Sequence, residues 1–147
     1  MKDIYEPIEH LLNKECYVID YLPESVSGES NGQFFDVEYY VLNGNKMTQL
    51  KDKFVNVILK LMCYYRISIL PDETWIESPN PEMIENIITE RMVNHSGTLN
   101  CWFEDEDMLL VFDWDCLYLA TYNVPAKCRK IFEQIACSEG LFWRKSE

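Results

Sequence analysis

The stretch 104-EDEDMLLVFDWDCLYLATYN-123 decides the fold that we expect for this chain. Residues 108–115 alternate between two faces, with Met108, Leu110, Phe112 and Trp114 on one and Leu109, Val111, Asp113 and Asp115 on the other. This two-residue period is typical of a strand. Residues 98–103 and 116–122 flank it as further apolar segments, and the four acids at 104–107 form the polar tip of a hairpin. Short links between consecutive strands favour antiparallel pairing.

Helices and further strands are predicted in the sequence before and after these three strands. Apolar residues at helical spacing predict helices over 4–13, 47–64, 80–92 and 124–139. Strands are predicted over 16–22, 33–42 and 141–145, the last as an edge strand, and 66–70 is a short apolar piece that stops at Pro71. The Ser-, Gly- and Asn-rich segment 23–32 is expected to be the loop of a long hairpin between the first two of these strands.

Two helix ends carry specific signals. Asn80 can cap the third helix and Pro81 suits its first position. Gly140 stands where a left-handed residue would end the last helix, and Leu141 can pack back on its final turn. The order of elements predicts an α+β fold over 1–147 as a single domain, with an antiparallel sheet of about five to six strands and helices packed mainly on one face.

Composition narrows the classes of function. The chain has 147 residues and a net charge of −12, and no Lys or Arg occurs from Met92 to Ala126. An acidic surface repels phosphate backbones, so nucleic-acid binding is disfavoured. No apolar run approaches the length of a membrane span, and the N-terminus lacks the pattern of a signal peptide. We therefore expect a cytoplasmic protein that binds neither nucleic acid nor membrane.

The six cysteines do not indicate a metal or a disulfide framework. None forms a Cys-x-x-Cys pair, and each lies in a segment with an apolar pattern. This spacing favours reduced, buried thiols. The two histidines, His10 and His95, are far apart in sequence and add no ligand cluster. No metal and no cofactor are predicted.

The Asp-x-Asp of 109-LLVFDWDCL-117 resembles the first motif of the haloacid-dehalogenase-like phosphatases. The resemblance implies a nucleophilic Asp113, a general acid–base Asp115 and a magnesium ion between them and the substrate. That family also implies a parallel α/β sheet, and it usually has glycine where this chain has Cys116. A lone Asp-x-Asp is similar as well to the motif of sugar-nucleotide transferases. A catalytic interpretation requires the carboxylates to converge in a concave pocket.

Two non-catalytic interpretations remain beside it. The acids can be no more than a solvated surface, or they can form a docking face for a basic protein, with charge setting the encounter rate and rigid aromatics the residence time. In size, charge and class the chain resembles the small acidic α+β immunity proteins that bacteria encode beside nucleases and other toxins. We take an immunity-type inhibitor as the leading hypothesis, and a homo-oligomer that buries exposed aromatics as a further alternative. The predicted partner-binding residues are Glu104, Asp105, Glu106, Asp107, Asp113, Asp115, Trp102 and Trp114.

Overall fold

The computed structural model describes residues 3–146 and confirms the α+β class. The described residues form five helices and seven strands, where five to six strands were expected. The helices are α1 Glu6–Glu9, α2 Phe34–Asn43, α3 Lys46–Met62, α4 Pro81–Val93 and α5 Ala126–Ser138. The strands are β1 Cys16–Asp20, β2 Ser68–Leu70, β3 Ile76–Glu77, β4 Thr98–Phe103, β5 Met108–Asp113, β6 Tyr118–Tyr122 and β7 Phe142–Lys145.

All seven strands belong to one antiparallel sheet with the order β3-β2-β4-β5-β6-β1-β7. The meander β4–β5–β6 is the one that the alternating pattern predicted, with Leu110 opposite Cys101 on one side and Thr121 on the other. β1 inserts between β6 and β7, and Val18 faces both Ala120 and Arg144. β7 is an edge strand as expected. The short strands β2 and β3 were not predicted, since 66–70 showed only a short apolar piece and the segment of β3 showed no strand pattern.

The two faces of the sheet are covered unequally. Met108, Leu110 and Phe112 are fully buried in the main core, which helices α2 to α5 complete. Phe54 of α3 packs edge-on against Phe112 with the ring centroids 6.3 Å apart. On the other face the segment around α1 places Ile8 against Leu109 in a smaller apolar cluster. The expectation that helices pack mainly on one face is therefore confirmed.

The prediction of a strand over 33–42 is wrong, because Phe34–Asn43 form helix α2. The alternation of aromatic and β-branched residues favoured a strand, but the same segment also has a helical stripe. Phe34, Val41 and Leu42 pack into the main core beside α3, and burial of that stripe decides the conformation. The segment 23–32 consequently links a strand to a helix and is not the loop of a hairpin.

The predicted helix signals at Asn80 and Gly140 are confirmed. The Asn80 Oδ1 accepts a hydrogen bond of 2.8 Å from the backbone N–H of Met83. Gly140 has φ +74°, and Leu141 is buried while its N–H donates to the Ala136 carbonyl at 2.9 Å. Among the helices within residues 3–146, none combines the length and the apolar composition needed to cross a bilayer.

The cysteines are unpaired, but their burial differs from the expectation. Cys101 and Cys128 are buried and Cys16 and Cys116 are partly buried. Cys63 and Cys137 are exposed, so the prediction of burial is wrong for them. Cys63 directly follows α3 and Cys137 lies in the last turn of α5, where a residue in an apolar segment can still face solvent.

Candidate functional site

The predicted partner-binding acids form two separate groups at opposite ends of β5. Glu104 to Asp107 precede Met108, the first residue of the strand, while Asp113 ends it and Asp115 follows. A strand of this length spans about 20 Å. The structure therefore brings 104–107 together and 113–115 together, but it does not place both groups on one contiguous patch.

Two acids of the first group share one cation within the chain. The Arg66 guanidinium donates to Glu104 at 2.9 Å and to Asp105 at 3.0 Å. Asp105 and Glu104 in turn raise the pKa of Arg66, which keeps it fully charged. A basic side chain of a partner that approaches this hairpin tip would compete with the Arg66 guanidinium for the same carboxylates.

Asp107 has a structural role in the hairpin turn. Its backbone is left-handed, with φ +54°. The carboxylate lies 2.7 Å from His10 Nε2 and accepts a hydrogen bond of 3.3 Å from the Trp102 indole N–H. Its carbonyl accepts a further hydrogen bond of 2.9 Å from Asn123. These contacts attach the segment after α1 to the hairpin, so Asp107 is committed within the fold.

Glu106 points into the protein, unlike its neighbours in the turn. Its Oε1 is buried and has no hydrogen-bond partner among residues 3–146. It lies close to Tyr65, whose pKa is raised by burial first, by Cys128 next and then by the charge of Glu106. Glu106 is therefore poorly placed to meet a partner.

The Asp-x-Asp residues have a different environment. The Asp115 backbone N–H donates to Asp113 Oδ1 at 3.5 Å, and the Cys116 thiol donates to Asp115 Oδ1 at 3.6 Å. Partial burial, followed by the neighbouring Asp115 carboxylate, raises the pKa of Asp113. Among the described residues no Lys, Arg or His side chain lies within ion-pair distance of either acid.

A third acid reaches the same end of the sheet from helix α2. Burial first, and then the charge of Asp115, raise the pKa of Glu38. We refer to Glu38, Asp113 and Asp115 as the acidic cluster. It joins two spans without any Lys or Arg, namely 15–45 and 92–126. The fold thus concentrates negative charge at a place that neither span reveals alone.

A pocket of about 160 Å³ adjoins the acidic cluster. Glu38, Tyr118 and Arg144 contribute to its lining, while Asp113 and Asp115 do not. The guanidinium of Arg144 donates to the buried Asp20 at 2.6 Å and 3.2 Å, so this cation is already paired. Asp115 is exposed, and the Asp-x-Asp faces an open surface.

The groups around the Asp-x-Asp offer few ligands to a metal cation. Ligand atoms of Asp113, Asp115 and Cys116 lie within 4.8 Å of one another. Burial raises the pKa of the Cys116 thiol to about 12, so it stays protonated and is a poor ligand. Magnesium prefers oxygen donors in octahedral geometry, and these residues supply only two carboxylates. The antiparallel pairing of β5 on both sides also differs from the parallel sheet of the phosphatases that the motif resembles.

The two predicted tryptophan anchors are both engaged inside the fold. Trp102 packs edge-on against Trp75, with the ring centroids 5.7 Å apart, on the face of the sheet that α1 covers. Trp114 packs against the main core and lies 5.3 Å from the His95 ring. They lie on opposite faces of the sheet, so they do not form one anchor pair.

Sequence reasoning missed a group of exposed aromatic residues on one helix. Phe35, Tyr39 and Tyr40 are 78%, 71% and 58% exposed, and all three lie on α2. We call them the aromatic face of α2. The strand prediction concealed this face because it placed Phe35 and Tyr39 on one side and Tyr40 on the other. The sequence signal that could have revealed this face is the helical stripe of the same segment, which buries Val41 and Leu42 and leaves the three aromatic residues outside.

The fold and the site define a class: an α+β protein with one antiparallel sheet, helices mainly on one face and an acidic cluster beside an exposed aromatic helix. Comparison of the chain with protein-family models, with curated protein sequences and with solved structures gives no match.

Proposed function

We propose that this chain is a non-catalytic binding protein that docks a basic protein partner, as an immunity-type inhibitor of a basic toxin or nuclease in the cytoplasm. The observation that carries the proposal is the acidic cluster. Ligand atoms of Asp113 and Asp115 lie within 4.8 Å of one another, and the charge of Asp115 contributes to the raised pKa of Glu38. None of the three acids has an ion-paired cation among the described residues. Like the immunity proteins, the chain is small, acidic and of the α+β class.

Binding of a cationic surface would relieve the electrostatic repulsion within the acidic cluster. Repulsion between Asp113 and Asp115 is a cost in the free protein, and a Lys or Arg of a partner would remove it. Complementary charge also raises the association rate at low salt. The hairpin tip would contribute less, because Arg66 already occupies Glu104 and Asp105.

The test is a pull-down with the purified protein at low and high salt, with retained proteins identified by mass spectrometry. We expect a specific basic protein to be retained and its binding to be weakened by Glu38→Gln/Asp113→Asn/Asp115→Asn. Removing each carboxylate that pairs with a cation of the partner should reduce the affinity by about tenfold or more.

The matched control for this experiment is Glu6→Gln/Glu82→Gln/Glu133→Gln, which removes the same number of negative charges at other surface positions. Any acidic surface collects basic proteins at low salt, so only a difference between the two triple variants counts. Equal retention by both variants would contradict the proposal.

A second candidate function is a magnesium-dependent, phosphatase-like activity, which the proximity of Asp113 and Asp115 favours. It predicts saturable binding of Mg²⁺ that is lost in Asp113→Asn/Asp115→Asn, measured by calorimetry, together with hydrolysis of a phosphate monoester. Binding without hydrolysis would leave a cation site but no enzyme. The open position of Asp115 and the protonated thiol of Cys116 favour the binding function over this one.

A further inference from the structure

Helix α2 exposes an unusual amount of aromatic surface for an element of ten residues. Phe35 and Tyr39 are four residues apart and therefore neighbours on one side of the helix, and Tyr40 extends the surface around it. Val37, at 46% exposed, lies three residues before Tyr40 and continues the exposed surface on that side of the helix. Single exposed apolar residues are ordinary, but a contiguous group on one helix is typical of an interaction surface.

The opposite side of α2 explains why the aromatic face stays outside. Val41 and Leu42 are buried in the main core, and Phe34 packs against it. Those contacts fix the rotation of the helix. Phe35 contacts Phe34 edge-on with the ring centroids 5.5 Å apart, which leaves most of its surface in water. The exposure is thus set by the fold and not by fraying of a chain end.

The negative charge around the aromatic face determines which kind of partner surface can bind there. No Lys or Arg occurs from Glu15 to Asn45, and α2 itself carries Asp36 and Glu38. Glu38 is near enough to Asp115 of the acidic cluster for the charge of Asp115 to contribute to its raised pKa. An occupant must therefore offer apolar surface flanked by positive charge.

We propose that the aromatic face of α2 anchors a basic amphipathic helix of the partner protein, with the partner's Lys or Arg side chains directed at the acidic cluster. This inference rests on the proposed function and adds the anchor and the form of the partner. Helix α2 is about 15 Å long, and packed helices lie about 8–10 Å apart. At that distance the long basic side chains of a neighbouring helix can reach the carboxylates that flank the aromatic rings.

Other occupants of this face are disfavoured by charge. A second copy of the chain would bring two α2 helices together in a self-complementary contact, with Asp36 and Glu38 of each facing the same acids. Like charges in an interface cost several kcal/mol. Nucleic acid and anionic membranes would be repelled for the same reason.

The test uses synthetic peptides as probes, each about 18 residues long, or five helical turns. One carries leucines on one helical face flanked by lysines, and the other has the same lysines with serine in place of leucine. Binding is measured by calorimetry against the full-length protein, and amide shifts in NMR spectra locate the contact. We expect the leucine peptide to bind more tightly and to shift the amides of α2.

The decisive variant is Phe35→Ser/Tyr39→Ser, which should weaken binding of the leucine peptide by at least about tenfold. Both side chains are largely exposed, so the variant should keep the melting temperature of the native protein. The matched control is Tyr5→Ser/Tyr64→Ser, which removes two exposed aromatics (48% and 63% exposed) from elsewhere and should leave binding unchanged within about twofold.

The outcomes separate this inference from the function on which it rests. Unchanged binding by Phe35→Ser/Tyr39→Ser, with weakening by Glu38→Gln/Asp113→Asn/Asp115→Asn, would overturn the α2 anchor and leave the acidic docking face. If Phe35→Ser/Tyr39→Ser weakens peptide binding but Glu38→Gln/Asp113→Asn/Asp115→Asn does not, the acidic cluster takes no part in binding. That result would overturn the proposal of a basic partner. Failure of the leucine peptide to bind, or a concentration-dependent dimer that the aromatic variant abolishes, would overturn the basic helix as occupant.

Discussion

Asp105 and Asp113 are both aspartates next to strand β5, yet their surroundings differ. Asp105 accepts a hydrogen bond from Arg66 at 3.0 Å, whereas Asp113 lies against another carboxylate. A charge that is paired on the surface contributes little, but a partly buried one beside a like charge is a cost. At the scale of the residue, the location of a cation therefore decides which acid is available to a partner.

We predict that Asp113→Asn stabilises the protein at neutral pH. The folded-state pKa of Asp113 is raised above its ordinary value of 3.8, so the folded protein holds this proton more tightly than the unfolded chain. Stability consequently falls as the pH rises through the window between the two pKa values. Removing the charge should raise the melting temperature by about 1–3 °C at pH 7.

The pH dependence provides the check for this substitution. Thermal denaturation of Asp113→Asn and of the native protein should give a difference that shrinks as the pH falls through this window and has vanished below about 3.5, where Asp113 is protonated in both states. Asp105→Asn is the control, since it removes an ion-paired carboxylate and should give no gain. A lower melting temperature of Asp113→Asn at pH 7 would contradict the repulsion between Asp113 and Asp115.

At the scale of the element, α2 shows how burial overrides local propensity. Its aromatic and β-branched residues favour a strand, and their alternation supported that prediction. The helix forms because Val41 and Leu42 bury next to α3, and Gly44 then allows the chain to turn into α3. Neither contact can be inferred from the ten residues of α2 alone.

The paired substitutions Phe35→Ala and Phe54→Ala test the assignment of inside and outside on adjacent helices. Phe54 is fully buried against Phe112, so its truncation should cost about 3–5 kcal/mol of unfolding free energy. Phe35 is 78% exposed, and the same truncation should change stability by no more than about 0.5 kcal/mol. Urea denaturation of both variants measures the difference. A comparable loss in Phe35→Ala would mean that α2 is packed differently.

At the scale of the whole molecule, the net charge of −12 is distributed unevenly. Arg66 offsets part of the charge of the hairpin tip. At the edge strand β7, Arg144 is bound to Asp20 and Lys145 lies near Glu15. The two spans without bases meet at Glu38 and Asp115. Self-repulsion of this kind keeps a protein apart from its copies while it destabilises the compact state.

Salt should therefore stabilise the native protein. Raising sodium chloride from about 0.01 M to about 1 M shortens the Debye length from about 30 Å to about 3 Å and screens the repulsion. We expect the melting temperature to rise by about 2–4 °C, measured by calorimetry. The variant Glu38→Gln/Asp113→Asn/Asp115→Asn should show a smaller rise. A fall in the melting temperature with salt would show that attractive ion pairs dominate.

The sequence by itself determined the elements whose signals are local. The meander of β4, β5 and β6 follows from strict alternation, α3 from its broad apolar stripe, and the ends of α4 and α5 from Asn80 and Gly140. Each signal lies within a few residues of its effect, because capping and periodic burial depend on neighbours along the chain. The Asp-x-Asp was found in the same way, since it ends a strand that the pattern defines.

Only the tertiary structure decided the features that depend on distant residues. It placed β1 between β6 and β7, made a helix of 34–43, and separated 104–107 from Asp113 by the length of β5. It also supplied Arg66 to the hairpin tip and Glu38 to the Asp-x-Asp. The physical reason is that charge pairing and the choice between strand and helix are settled by which surfaces meet in the folded chain, and no single segment of the sequence determines that meeting.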